Sequence, residues 1–335
     1  MLGFGFLSVV CLLASSAIAG LSSRAEPFRF RQGSFKIVQF TDPQDGPVFH
    51  PKTKAAMERI LDAEKPDLVV ITGDLVSTGE FQNKDQVRRS LEALAQPMES
   101  RRIPWAATFG NHDCDALDRL GITKGDMMAW MRALPQNRNT DDPAGVPGVG
   151  NNLLRVLGAD GKPAFAVWLL DSHSYAPAEV GGQKLGAYGW IQPEQIGWYA
   201  WESHALEAAG GRKVPGLMFF HIPLPEFGAM HAAGLAKEGE KNEDECPSLI
   251  NSGMFGAILA RGDVAGVFVG HDHVNTYVGT WYGVRLGYAG NIGFATYGLK
   301  GEERDRLRGA RVFEVGEKDP RAFRTRYVLA SSFGG

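Results

Sequence analysis

Cysteine is scarce in this 335-residue chain, which holds three, at positions 11, 114 and 246. So few exclude a disulfide-built scaffold and the four-cysteine zinc modules. Charge of one sign is not in excess either. Lys and Arg number 35 against 38 Asp and Glu, a formal net charge of −3. That balance gives no global attraction to nucleic acid or to an anionic membrane surface. No repeat of roughly 20–50 residues and no long low-complexity tract is present. No stretch rich in Pro, Gly or Ser divides the chain. The softest segments are 135–151 and 232–246, the second carrying the charged run "KEGEKNEDEC". A chain that is 44% hydrophobic and 22% charged suits an ordinary globular enzyme.

The first twenty residues, "MLGFGFLSVVCLLASSAIAG", lack any Lys or Arg. They still read as an apolar run followed by small residues. Ala17-Ile18-Ala19 fits a small-x-small cleavage site, leaving Gly20 as the first mature residue. The expectation is a signal peptide over 1–19, one domain over 20–335, and a secreted or periplasmic product. A retained membrane anchor is the alternative, since the run is almost long enough to span a bilayer; its Ser-Ser-Ala end argues against that. Cys114 and Cys246 would remain after cleavage, either paired or as two unrelated thiols.

Apolar patterning predicts alternating strands and helices. "FKIVQFTD" (35–42) reads as a buried strand, "KTKAAMERILDAEK" (52–65) as a helix, and "PDLVVITGD" (66–74) as a second strand. A helix over 84–98 and a strand with loop over 103–113 follow. This β-α-β-α-β order implies a parallel sheet with crossover helices. The second half repeats the style, with strands at 164–171, 216–221 and 264–273 and helices at 192–209 and 252–261. Pieces within 275–290, "ARVFEV" and "RTRYVL" read as antiparallel strands.

In such sheets ligands gather at the carboxyl ends of the strands. The polar residues sit there: Asp42, Asp74, Asn111 with His112, His221, and His271 with His273. A single strand-end Asp is more often a turn or cap residue, and a single His more often a satisfied core group. Five such ends with oxygen and imidazole donors are hard to assign to chance. Gly73, Gly110 and Gly270 precede the key residues, which suits sharp turns out of the strands.

The pieces "GD" (73–74), "GNHD" (110–113), "FFHIP" around His221 and "GHDH" (270–273) resemble the calcineurin-like metallophosphoesterase superfamily, in the same order over most of the chain. "GHDHVN" followed by "GYAGNIGFATYG" is similar to the purple acid phosphatase-like branch of plants and fungi, which includes the yeast dosage-dependent cell-cycle regulator phosphatases. The resemblance implies a four-layer α/β/β/α sandwich with two mixed central sheets, holding two divalent or trivalent metal ions (Mn, Zn or Fe). It implies that Asp74 bridges the metals, that Asp42 and His273 hold the first, and that Asn111, His221 and His271 hold the second. His112, with Asn111, would face the phosphate and assist the leaving group. The reaction implied is hydrolysis of a phosphate ester by a hydroxide held between the metals. Asp113 either orients His112 or is structural. His173 either lines the pocket or is a solvated loop residue.

This chain departs from the family at three places. Asp-x-His becomes Asp42-x-Gln44, so Gln44 is the expected ligand through a neutral and weaker oxygen donor, with His50 as a possible substitute. Ser77 stands where coloured purple acid phosphatases carry a tyrosine ligand. "GDLVSTG" lacks the Asp and Arg of the protein serine/threonine phosphatases. The expected substrate is therefore a small or undefined phosphoester, mono- or diester, with no nucleic-acid partner and no stable membrane association after signal cleavage. A descendant that binds metal or a phosphorylated ligand without turnover is the alternative.

Overall fold

The structure is a computed structural model that describes residues 27–333. The signal-peptide reading of 1–19 lies outside these residues. Among those described, no helix is long and apolar enough to cross a membrane.

Two mixed sheets form the middle of the molecule. The five-stranded sheet has the order Asp319–Leu329, Gly309–Gly316, Ser34–Phe40, Leu68–Thr72, Trp105–Thr108. Its last three strands are parallel, with Val38 opposite Val69 and Val69 opposite Trp105. Parallel neighbours need a crossover, and helices Pro51–Glu64 and Lys84–Arg101 supply it on one face. The eight-stranded sheet is built around Pro163–Leu169, Gly216–Phe219 and Val264–Val269, which are parallel to one another. Helices Pro193–Gly210, Pro225–Ala232 and Met254–Arg261 cover its outer face.

Side-chain alternation sorts each strand between two cores. In Ser34–Phe40, Phe35 and Ile37 face the other sheet, whereas Val38 and Phe40 face the helices. Phe35, Leu68, Val70, Leu217, Phe219, Phe268 and Phe313 fill the space between the sheets. Strands buried on both faces read as continuous apolar runs, which is why they were legible. Burying a side chain of this kind is worth about 1.5–3 kcal/mol. The layering is α/β/β/α.

The strands end earlier than the apolar runs, at Phe40, Thr72 and Val269. The residues beyond turn away from extended backbone: Gly73 has φ 84°, Asp42 52°, Asp74 46° and His271 74°. Sequence periodicity also passed over the strand Asn152–Leu157 and the helices Lys124–Arg132 and Pro225–Ala232. Short amphipathic pieces give too few periods to register.

Candidate metal centre

The parallel strands of both sheets point their carboxyl ends to the same edge, where the polar loops meet. Asp42 and Asp74 sit in left-handed backbone, a conformation costly for residues with a Cβ. Backbone hydrogen bonds hold them there. Asp42 N–H donates to the Gly73 carbonyl at 3.2 Å, and Gln44 N–H to the Asp74 carbonyl at 2.8 Å. The carboxylates are aimed in turn. Asp74 Oδ1 accepts from His112 N–H at 2.8 Å. Asp42 Oδ2 accepts from Thr41 Oγ1 at 2.6 Å and from His271 N–H at 3.1 Å.

The glycines act partly through space rather than φ. Gly73 has positive φ, but Gly110 and Gly270 do not. A Cβ on Gly110 would overlap the Asp74 carboxylate, and one on Gly270 would overlap Thr41 and Asp42. The sharp-turn expectation thus holds at Gly73; at the other two the reason is room for the carboxylates.

Two groups of donor atoms result. Asp74, His221 and His271 form one, and Asp42, Asp74 and His273 form the other; within each group the donor atoms lie within 4.8 Å of one another. Asp74 belongs to both. His221 Nε2 lies 3.3 Å from Asp74 Oδ2, 3.2 Å from Asn111 Oδ1 and 3.3 Å from His271 Nδ1. His273 Nε2 lies 3.3 Å from Asp42 Oδ1. These are acceptors and imidazoles crowded together in a buried space, the donor chemistry of a transition-metal site rather than of a hydrogen-bonded core. His271 Nε2 is buried with no hydrogen-bond partner.

The electrostatics fit the crowding. Burial opposes a charge on His221, but the Asp74 and Asp42 carboxylates push its pKa up to about 10. Burial would raise the Asp74 carboxyl; the charge and hydrogen bond of His221, with the charges of His112 and His271, hold it below the usual range instead. Burial, then the charge of His221, drives His271 well below the usual imidazole value.

His112 is the accessible imidazole, its side chain 37% exposed. Its Nδ1 lies 2.7 Å from Asp115 Oδ2. Burial lowers its pKa, but Asp74 and then Asp115 outweigh this and raise it. Asp113 takes no part in orienting it. The Asp113 carboxylate folds back, accepting from Gly110 N–H at 2.8 Å and Val76 N–H at 3.0 Å. Burial and then the Asp74 charge push its pKa up to about 7. The place given to Asp113 beside His112 thus belongs to Asp115, on the far side of a short 3-10 turn.

Gln44 lies beside the site, its Oε1 accepting from Thr296 Oγ1 at 2.5 Å. His50 does not substitute for it: its Nδ1 caps the helix at Lys52 N–H, 3.1 Å away. His173 is turned elsewhere, its Nε2 lying 3.0 Å from Gln195 Oε1. It lines a side cleft together with Tyr175 and Trp190. Tyr175 does reach the site, which sequence reasoning missed: its hydroxyl accepts from Asn111 Nδ2 at 3.1 Å and donates to Asp115 Oδ1 at 2.9 Å. Asp115 was visible as a second acid after His112, whereas nothing around Tyr175 signals its placement. Cys114 and Cys246 are both free thiols.

Known proteins resemble this chain in sequence and in fold. The family model described as "Calcineurin-like phosphoesterase" matches residues 35–275. The chain is 34% identical over 302 residues to "Probable inactive purple acid phosphatase 14" of Arabidopsis thaliana, covering 80% of this chain and 73% of that protein. It is 30% identical over 275 residues to "Phosphatase DCR2" of Saccharomyces cerevisiae, covering 73% of this chain and 45% of that protein. The crystal structure of a dimetal phosphatase from Danio rerio superposes with TM-score 0.55 at 12% identity, covering 87% of this chain and 98% of that one.

Proposed function

The chain belongs to the calcineurin-like phosphoesterase family, and from that premise we propose that it is an exported, metal-dependent phosphoester hydrolase that takes two metal ions. The observation that carries the proposal is Asp74, the one carboxylate shared by both donor groups. Asp42, Gln44 and His273 would complete the first metal position; Asn111, His221 and His271 would complete the second. Bound there, a cation pair supplies Lewis-acid activation of water and of the phosphoryl group.

The rest of the work falls to this chain's own side chains. His112, reachable from solvent and held through Nδ1 by Asp115, presents Nε2 to the departing ester oxygen and donates a proton there. Its raised pKa keeps that proton available. Tyr175 fixes the Asn111 amide, so that Asn111 Oδ1 faces His221. Asp113 and the glycines hold the loops in register. Residues 1–19 direct export in this reading, and a mature product beginning at Gly20 is the expected result of N-terminal sequencing.

A second reading, a non-catalytic binder of metal or of a phosphorylated ligand, is favoured by Gln44 and by the word "inactive" in the relative's name. One experiment separates the two. The protein without residues 1–19 is stripped, reloaded with Mn, Zn or Fe, and assayed on 4-nitrophenyl phosphate and its bis-ester, beside Asp74→Asn. Metal-dependent turnover that Asp74→Asn abolishes supports the hydrolase; metal bound at full stoichiometry without turnover on either ester supports the binder.

A further inference from the structure

Behind His273 lies an amide whose orientation is fixed. Asn291 is 2% exposed. Its Oδ1 accepts from Arg308 Nη1. Its Nδ2 donates to the Tyr297 carbonyl at 3.1 Å and lies 2.8 Å from His273 Nδ1. Turning the amide over would set two donors together at Arg308 and two acceptors together at Tyr297. Arg308 is itself buried and held, donating to the Tyr297 and Thr296 carbonyls at 2.9 Å each and to Asp305 Oδ1 at 3.2 Å. A guanidinium has donors only, so the polarity passes through Asn291 to His273. His273 Nδ1 must accept. The single N–H of the neutral imidazole then falls on Nε2, the nitrogen facing Asp42.

His221 is built the opposite way. Its Nδ1 lies 2.8 Å from the Thr72 carbonyl, so Nδ1 keeps its proton and Nε2 is the nitrogen that can give one up. That is the usual arrangement behind a metal-binding histidine.

We propose that the Arg308–Asn291 pair is a positioning device that keeps His273 in its Nε2–H tautomer, so that the position of Asp42, Asp74 and His273 fills after, and more weakly than, that of Asp74, Asn111, His221 and His271. This rests on the two-metal reading above. For His273 to ligate through Nε2, that proton must leave and Nδ1 must gain one. Nδ1–H then has to displace the Asn291 amide or settle for a long contact with the Tyr297 carbonyl at 3.4 Å or Thr296 Oγ1 at 3.5 Å. Gln44 works in the same direction, because its oxygen is already engaged by Thr296 of the same loop.

The test pairs a spectroscopic readout with metal stoichiometry. Long-range ¹H–¹⁵N correlation on the stripped, ¹⁵N-histidine protein reads the His273 tautomer. Calorimetric titration with Zn²⁺, checked by elemental analysis, reads the two binding steps in wild type, Asn291→Asp and Asn291→Ala. The alanine variant removes the donated N–H without adding charge, and circular dichroism confirms that each variant is folded. The expected result is a proton-free His273 Nδ1 in wild type and two unequal steps. The weaker step tightens on the order of 10–100-fold in both variants while the tighter step is unchanged. A wild-type His273 already protonated on Nδ1, two equally tight steps, or a weaker step unmoved in both folded variants overturns the inference and leaves the two-metal reading standing. No Zn²⁺ binding at all overturns that reading and this one together.

Discussion

His112 Nδ1 and Asp115 Oδ2 lie 2.7 Å apart, and the other oxygen of that carboxylate takes the Tyr175 hydroxyl at 2.9 Å. One acid therefore fixes the His112 imidazole and the residue that steadies Asn111. The Asp115 charge also helps to raise the His112 pKa. Asp115→Asn is expected to reduce kcat, by less than the roughly 10²–10⁴-fold that a general acid supplies. Because the His112 proton is then lost more easily, the fall in activity on the alkaline side should move to lower pH. A pH–kcat profile checks this; an unmoved alkaline limb counts against Asp115 as the orienting group.

Removing the imidazole itself should separate chemistry from metal binding. His112→Ala is expected to cost on the order of 10²–10⁴-fold in kcat with metal content intact, since the donor groups do not include it. Elemental analysis beside single-turnover assays gives the answer. Loss of metal in this variant would contradict the role assigned to His112.

Metal loading should depend on pH in a defined direction. Neighbouring carboxylates keep a proton on His221 up to about pH 10 in the metal-free protein. A metal must displace it, so affinity should rise as pH rises from 7 toward 10, and binding at pH 7 should release a proton. Calorimetry in buffers of different ionisation enthalpy measures that proton. Loading should also raise the unfolding free energy, by about 2.7 kcal/mol when free metal is a hundredfold above Kd.

The Lys124–Asp171 ion pair predicts a reversal of pH dependence. Both groups are largely buried, and Lys124 is in contact with the Asp171 carboxylate, which also accepts from Val149 N–H at 2.8 Å. Burial alone would raise the Asp171 pKa, but Lys124 outweighs it and holds the pKa below the usual value. A depressed carboxyl adds stability above its unfolded value, near pH 4, and loses it as pH falls further. In Lys124→Met burial prevails and the pKa rises. The contribution then reverses, with stability falling as pH climbs above about 4. The variant should lose on the order of 3–5 kcal/mol at neutral pH, since a buried charge is left unpaired. Urea unfolding of both proteins at pH 5 and pH 8 reads the slopes.

The sequence by itself determined the long apolar strands, the helices that connect them and the residues at the strand ends. Strands buried on both faces must be apolar throughout, and the polar break after each one marks where the chain leaves the sheet. Parallel strands share their carboxyl ends, which gathers Asp42, Asp74 and Asn111 at the edge of one sheet and His221, His271 and His273 at the edge of the other; the stacking of the two sheets joins the two sets. Tertiary structure alone decided how each donor is aimed. Asp113 is next to His112 in the chain yet turns back to Gly110 and Val76, because two buried N–H groups there need an acceptor. Tyr175, Thr296 and Arg308 act on the site from 64, 252 and 17 positions away from the residues they bind. Spacing in sequence carries no record of such contacts. The direction of a side chain, and the polarity it imposes on its neighbour, exist only once distant segments are packed together.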